Sequence, residues 1–180
     1  MIIKNERAET MNKLYLITGP AGVGKTTVSK EIAKSLEKSV LLEGDEFYKH
    51  VVGSYVPAWK EGNHLDIFWK VCIDTIKNYL NEGYDVVFNY IIGKNKFYEL
   101  KQAFKDFDTK FIVLLVDEAT LLKRDAERPE DEQMKERCSI LLNSFINYNY
   151  EENHILYTDN ISISEIINKV IQEDRFLLSK

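Results

Sequence analysis

Cysteine, proline and positive charge are all scarce in this 180-residue sequence, and each scarcity removes a class of protein. The two cysteines, Cys72 and Cys138, lie far apart, and neither belongs to a C-x-x-C pair. A disulfide framework is therefore not on offer, and each thiol, set in an apolar helical stripe, reads as buried and free. Lys and Arg total 24 against 29 Asp and Glu, a net charge of −5. That balance gives no general attraction to nucleic acid or to an anionic membrane. A polynucleotide ligand would need a local basic groove. No run of about 18 apolar residues exists, which removes a transmembrane span. The first residues are rich in Lys, Glu and Arg and lack the apolar core of a signal peptide. A cytoplasmic protein is the expectation. With three prolines, no internal repeat and no low-complexity linker, the length suits one domain with a proper core. Residues 1–12 read as a polar extension and 13–180 as that domain.

What is present is concentrated in Gly19-Pro20-Ala21-Gly22-Val23-Gly24-Lys25-Thr26, which matches the phosphate-loop pattern G-x-x-x-x-G-K-[ST] at every position. The apolar run Leu14 to Thr18 precedes it, and Val28, Ile32, Ala33 and Leu36 follow at helical spacing. The motif thus sits between a strand and a helix, the context that gives it meaning. Its glycines let main-chain amides approach an anion closely, and the positive end of the following helix adds to the field. Lys25 is suited to the β- and γ-phosphates and the Thr26 hydroxyl to Mg²⁺, with Ala21, Val23 and Thr27 completing the nucleotide-binding stretch.

Further along, short apolar runs alternate with helical patterns. Strands are expected at 39–43, 85–90, 111–116 and 154–157, and helices at 65–80, 94–107, 118–127 and 131–149. A last helix opens on the capping box Ser162-x-x-Glu165. Alternation of this kind predicts a three-layer α/β/α fold on a five-stranded parallel sheet, with ligands at the carboxyl ends of the strands. Between strand two and the helix at 65 runs an irregular aromatic stretch with Tyr48, His50, Tyr55, Trp59 and His64. It either faces a substrate or packs on itself as a cap.

Strand two ends in Glu43-Gly44-Asp45. A phosphoryl acceptor needs a base at its hydroxyl, and a metal needs carboxylates in its water shell. Asp45 suits the first task and, with Thr26, the neighbourhood of the metal; Glu43 suits the metal's water shell. Taken alone, both acids could equally cap the strand end. With these residues, the chain resembles the small P-loop kinases of metabolites and antibiotics, among them gluconate kinase, shikimate kinase and chloramphenicol phosphotransferase. Polynucleotide 5′-hydroxyl kinases share that core. The resemblance implies ATP and Mg²⁺ as cofactors, a small-molecule acceptor, a base role for Asp45, and an acceptor region over about 46–82. The family's acidic pair is Asp-x-Asp or similar, and here its first member is Glu43.

Arg124 and Arg128, four residues apart after strand four, would share a helical face. Two guanidinium groups over a triphosphate would neutralise charge spreading on the γ-phosphoryl oxygens, and the stretch 121–137 resembles the lid of these kinases. Arg137 is a weaker third candidate. A solvated, salt-bridged helix is the plain alternative, since Asp125, Glu127, Glu130, Asp131 and Glu132 surround the pair. Strand three ends in Phe88-Asn89-Tyr90 without an acid, which argues against a hydrolytic motor, and no Asn-Lys-x-Asp guanine motif occurs. Three readings stay open: a small-molecule kinase, a nucleotide or polynucleotide kinase using Lys94 and Lys96, and a non-catalytic ATP-binding module. The acceptor and the oligomeric state are not written in the sequence.

Overall fold

The computed structural model describes residues 12–178. The polar extension expected over 1–12 lies outside them except for Asn12, whose Nδ2 donates to Leu80 O at 3.0 Å. Five strands form the centre: β1 (Lys13–Thr18), β2 (Ser39–Glu43), β3 (Asp85–Asn89), β4 (Asp108–Leu115) and β5 (Ile155–Tyr157). Their order is β2-β3-β1-β4-β5, and every pairing is parallel. This is the three-layer α/β arrangement that the alternating pattern predicts. The central strands read as unbroken apolar runs because both faces are covered. Leu14 to Thr18 are all buried, as are Phe111 to Leu115.

Among the described residues, seven α-helices connect or flank the strands: α1 (Lys25–Ser35), α2 (Gly44–Tyr48), α3 (Leu65–Asn81), α4 (Lys94–Ala103), α5 (Glu118–Ala126), α6 (Glu136–Asn147) and α7 (Ile163–Gln172). Right-handed crossovers put α1 on one face of the sheet and α3 and α4 on the other. Contacts agree: α7 packs beside α1, Trp69 of α3 meets Phe88, and Phe97 of α4 meets Phe111 with ring centroids 4.5 Å apart. Helix α3 buries Phe68, Trp69, Cys72, Ile76 and Leu80 along one stripe. The Asn63 carboxamide oxygen accepts from the Leu65 amide at its start, and paired bonds from Gly83 N to Leu80 O and Tyr84 N to Tyr79 O close its end. Both cysteines are buried and free. Among the described residues, no helix is long and apolar enough to cross a membrane.

Helix α4 ends at Ala103 rather than near Phe107, and three other elements also differ from the sequence expectations. Strand β4 begins at Asp108 rather than Phe111, and Lys110 sits in it at 1 % exposure. Its ammonium donates to Val170 O, Ile171 O and Glu173 O at 3.0, 2.8 and 3.0 Å. Those carbonyls end α7, so a lysine in a core strand serves as the helix's C-terminal cap. Helix α2 follows β2 directly, turning at once at Gly44, where an added Cβ would lie 2.5 Å from the Tyr90 ring. Finally, α6 begins at Glu136 and not near 131, after a short 3-10 turn at Glu130–Glu132. Lys135 interrupts the helix with a left-handed φ of 49°, a conformation that a non-glycine residue holds only under outside constraint. Asp125 supplies that constraint: its carboxylate accepts from Met134 N at 3.0 Å and from Lys135 N at 2.8 Å.

Candidate active site

Segments that follow the carboxyl ends of all five strands meet in one cleft of ≈ 1280 Å³. Its floor is the loop between β1 and α1. Gly19 leaves β1 with φ of 147°, and a Cβ there would fall 2.4 Å from Leu114 O of the neighbouring strand. Gly24 (φ of 101°) is the N-cap of α1; no side chain caps that helix, and no acid lies in its first turn. A helix N-terminus left without a side-chain acceptor at the base of a cleft suits an anion. Ala21, Gly22, Val23, Gly24, Lys25, Thr26 and Thr27 all line the cleft.

The Lys25 ammonium donates to Gly19 O and Pro20 O at 3.0 and 2.9 Å, folded over its own loop. Desolvation pushes its pKa down to about 8; Asp45 acts in the opposite sense and Arg128 adds to the lowering. A cation held at such a cost is ready for a closer anionic partner. Across from it, Thr26 Oγ1 donates to Glu43 Oε2 at 3.4 Å. Hydroxyl and carboxylate side by side, with Asp45 on the same wall, form a hard-oxygen donor set. No cluster of three or more metal-ligating acids, histidines or cysteines exists among the described residues. The donors therefore fit Mg²⁺ bound through phosphate oxygens and water better than a dedicated protein cage.

Arg124 and Arg128 both line the cleft. Arg124 Nη1 donates to Val23 O at 3.0 Å, so its guanidinium lies on the phosphate loop. Arg128 does not continue the face of α5: the helix ends at Ala126, and Arg128 N bonds to Asp125 O in a tighter turn. Its Nη1 stands 3.7 Å from Asp125 Oδ1. Asp125 itself is 3 % exposed. Burial alone would raise its carboxyl, but the Met134 and Lys135 amides, the Cys138 thiol and Arg128 hold it below the ordinary range. The same contact, with burial foremost, pushes the Cys138 thiol up to about 11. Asp125 thus ties the arginine turn to the start of α6. In sequence, Asp125 stands only among the acids of the alternative, solvated helix; its burial depends on the Met134 and Lys135 amides, which no local spacing announces.

The other end of the cleft is aromatic. Tyr48, Trp69 and Tyr90 are buried in its wall, with Phe68 behind them. Burial and the neighbouring Asp45 carboxylate both raise the Tyr90 phenol. The aromatic stretch after α2 is pinned to this wall: Tyr48 Oη donates to Val56 O at 2.7 Å and accepts from His64 N at 3.2 Å. Tyr55 and Trp59 line the cleft, whereas His50 and His64 do not. The His64 ring bonds to Ser54 O at 2.9 Å, and His50 packs on Phe47. Asn89, at the end of β3, is buried outside the cleft lining, with Nδ2 unpaired. Arg137, the weakest of the three arginine candidates, lies 3.7 Å over the Trp59 ring and spans from α6 to the acceptor stretch. Past β5, Thr158 and Ile161 line the nucleotide end.

A family model described as an AAA domain matches residues 16–156. The chain belongs to that family. No curated protein matches it in sequence. Among solved structures, this AAA-domain chain is similar to a gluconokinase from Sinorhizobium meliloti 1021, 20 % identical, over 89 % of this chain and 90 % of that one (TM-score 0.59). It is also similar to the tunicamycin resistance protein of Deinococcus radiodurans, 17 % identical over 94 % and 99 % (TM-score 0.67). A sugar kinase from Janibacter sp. HTCC2649 is 14 % identical over 89 % and 92 % (TM-score 0.66). These likenesses establish the fold, that of the small P-loop kinases which the sequence resembles.

Proposed function

We propose that the protein is a kinase that transfers the γ-phosphoryl group of ATP to a hydroxyl of a small molecule. The observation that carries this reading is the sharing of one cleft by the phosphate loop and Asp45, close enough for the carboxylate to act on Lys25. A donor site and a base for an acceptor hydroxyl are then neighbours, which phosphoryl transfer requires and nucleotide storage does not.

The loop amides and Lys25 hold the phosphates. Arg124 and Arg128 close over them from the 121–137 stretch, acting as a lid, and Thr26 with Glu43 provides the Mg²⁺ position. The metal, when bound, neutralises charge on the phosphate oxygens. Asp45 accepts the proton of the attacking hydroxyl, and the transferred group passes to that oxygen. Tyr48, Trp69 and Tyr90 keep the acceptor side free of bulk water, which favours an alcohol over hydrolysis. Ile161, Ile163 and Ile166, which line the cleft past β5, suit adenine. Two buried free thiols and a need for ATP suit the cytoplasm.

A polynucleotide acceptor would draw on Lys94 and Lys96, but both are engaged. Lys94 Nζ donates to Asn149 O at 2.7 Å, and Lys96 is paired with Glu99. Phosphorus NMR on mixtures of ATP, Mg²⁺ and pooled sugars, polyols, nucleosides and antibiotics tests the proposal. A new phosphomonoester resonance is the expected result. ATP binding with no ester from any pool would instead leave a nucleotide-binding module.

A further inference from the structure

The cleft's acceptor end carries more aromatic surface and less usable positive charge than an anionic substrate calls for. Tyr55 and Trp59 remain 49 % and 58 % exposed, although both belong to a concave wall. Large rings left open in a concave site mark a binding surface more often than a solvated one. They are not loose: Tyr55 packs edge-on against the buried Tyr48 at 5.8 Å, and the Arg137 guanidinium lies on Trp59 at 3.7 Å.

The charges point the same way. Of the cations at this end, Lys49 is bonded to Glu46 at 2.7 Å and Lys96 is bonded to Glu99 while lying 5.4 Å from the Trp69 ring. Arg137 has no carboxylate partner among the described residues, but its charge rests on the Trp59 face. Asp45 and Asp66 also line the cleft. An acceptor carboxylate would enter a site where these two acids oppose it and one stacked arginine attracts it. A neutral ring meets neither cost and covers the open aromatics.

Resting on the kinase reading, we propose that the acceptor is an uncharged alcohol bearing a flat aromatic or heteroaromatic ring, which stacks at Trp59 and Tyr55, and not a sugar acid. Calorimetric titration of the protein saturated with a non-hydrolysable ATP analogue compares uridine with D-ribose and phenyl with methyl β-D-glucopyranoside, and adds D-gluconate. The ring-bearing member should bind about tenfold tighter in at least one pair, with gluconate no tighter than the ringless sugars. Trp59→Ala should erase the difference, Trp59→Phe should keep it, and neither should alter affinity for the analogue. The proposal is overturned if no pair shows a ring preference, if gluconate binds as well as any ring compound, or if the preference survives Trp59→Ala. Phosphorylation measured on the same compounds separates the two ideas. Ring-selective binding without any ester sinks the kinase reading alone, and efficient phosphorylation of gluconate sinks this proposal alone.

Discussion

The two ends of the cleft are built in opposite ways. The phosphate end comes from nine consecutive positions, 19 to 27, whose backbone amides would do most of the proposed binding, with Lys25 as the one charged side chain among them. The acceptor end is assembled from side chains scattered through the chain, from Asp45 on α2 to Trp59, Trp69, Tyr90 and Arg137. A contiguous loop must keep its residue types because its conformation admits few others, so its function is tied to a pattern. A scattered wall needs only suitable shapes, and many sequences supply those. The chemistry of donation is therefore general, and the choice of acceptor is particular to this chain.

Mutations can break that contrast where it is sharpest. Lys25→Met should lower turnover about a thousandfold, since it removes the charge aimed at the transferring group, while acceptor affinity stays within about threefold. Steady-state kinetics with calorimetry on the same variant checks both halves. Arg124→Ala should cost roughly a hundredfold in kcat with a smaller rise in the KM for ATP, because the guanidinium matters most as charge spreads in transfer. Equal effects on kcat and nucleotide affinity would place Arg124 in ground-state binding instead.

A smaller effect is expected between the ends. Asp125→Asn leaves the Met134 and Lys135 amides with a weaker acceptor and should reduce stability by about 2 kcal/mol in urea unfolding. Its carboxyl is held below the ordinary range, so the stabilisation is fully present above the unfolded pKa of about 4 and is lost as pH falls through the lower folded value. The variant should flatten that acid limb of the stability curve. Smallest is a pH effect on the donor end. Burial pushes the Lys25 ammonium down to about 8 in the free protein, and a bound triphosphate favours its charged form. Affinity for ATP should be full below pH 8 and fall above it by at most about tenfold per unit, with proton uptake on binding seen across buffers of different ionisation enthalpy. A flat profile between pH 7 and 9.5 would remove Lys25 from that role.

The same asymmetry governed what the sequence disclosed. Parallel order, the phosphate loop and the α7 capping box follow local rules that survive folding: the loop is contiguous, and Ser162 and Glu165 cap each other as their spacing demands. The misses were tertiary. The strand expected at 111–116 leaves Lys110 out, because the carbonyls it caps lie some 60 positions away. Helix α6 starts late because Asp125, ten residues upstream of Lys135, captures the Met134 and Lys135 amides just before it. Helical periodicity cannot register such a contact. His50 and His64 suit substrate contacts by type, but neither lines the cleft: His64 bonds to Tyr48 and Ser54, and His50 packs on Phe47. Trp69 is buried on α3 and also lines the cleft.

The decisive measurement is transfer of label from [γ-³²P]ATP to an alcohol panel by the wild-type protein and by Asp45→Asn, with ATP affinity measured in parallel. A donor end and an acceptor base that share one cleft predict an acid-stable phosphate ester from the wild type. In Asp45→Asn, ester formation should fall about a hundredfold or more while ATP affinity stays within about threefold. Undiminished ester formation by Asp45→Asn, or tight ATP binding with no ester from any alcohol, would contradict the account.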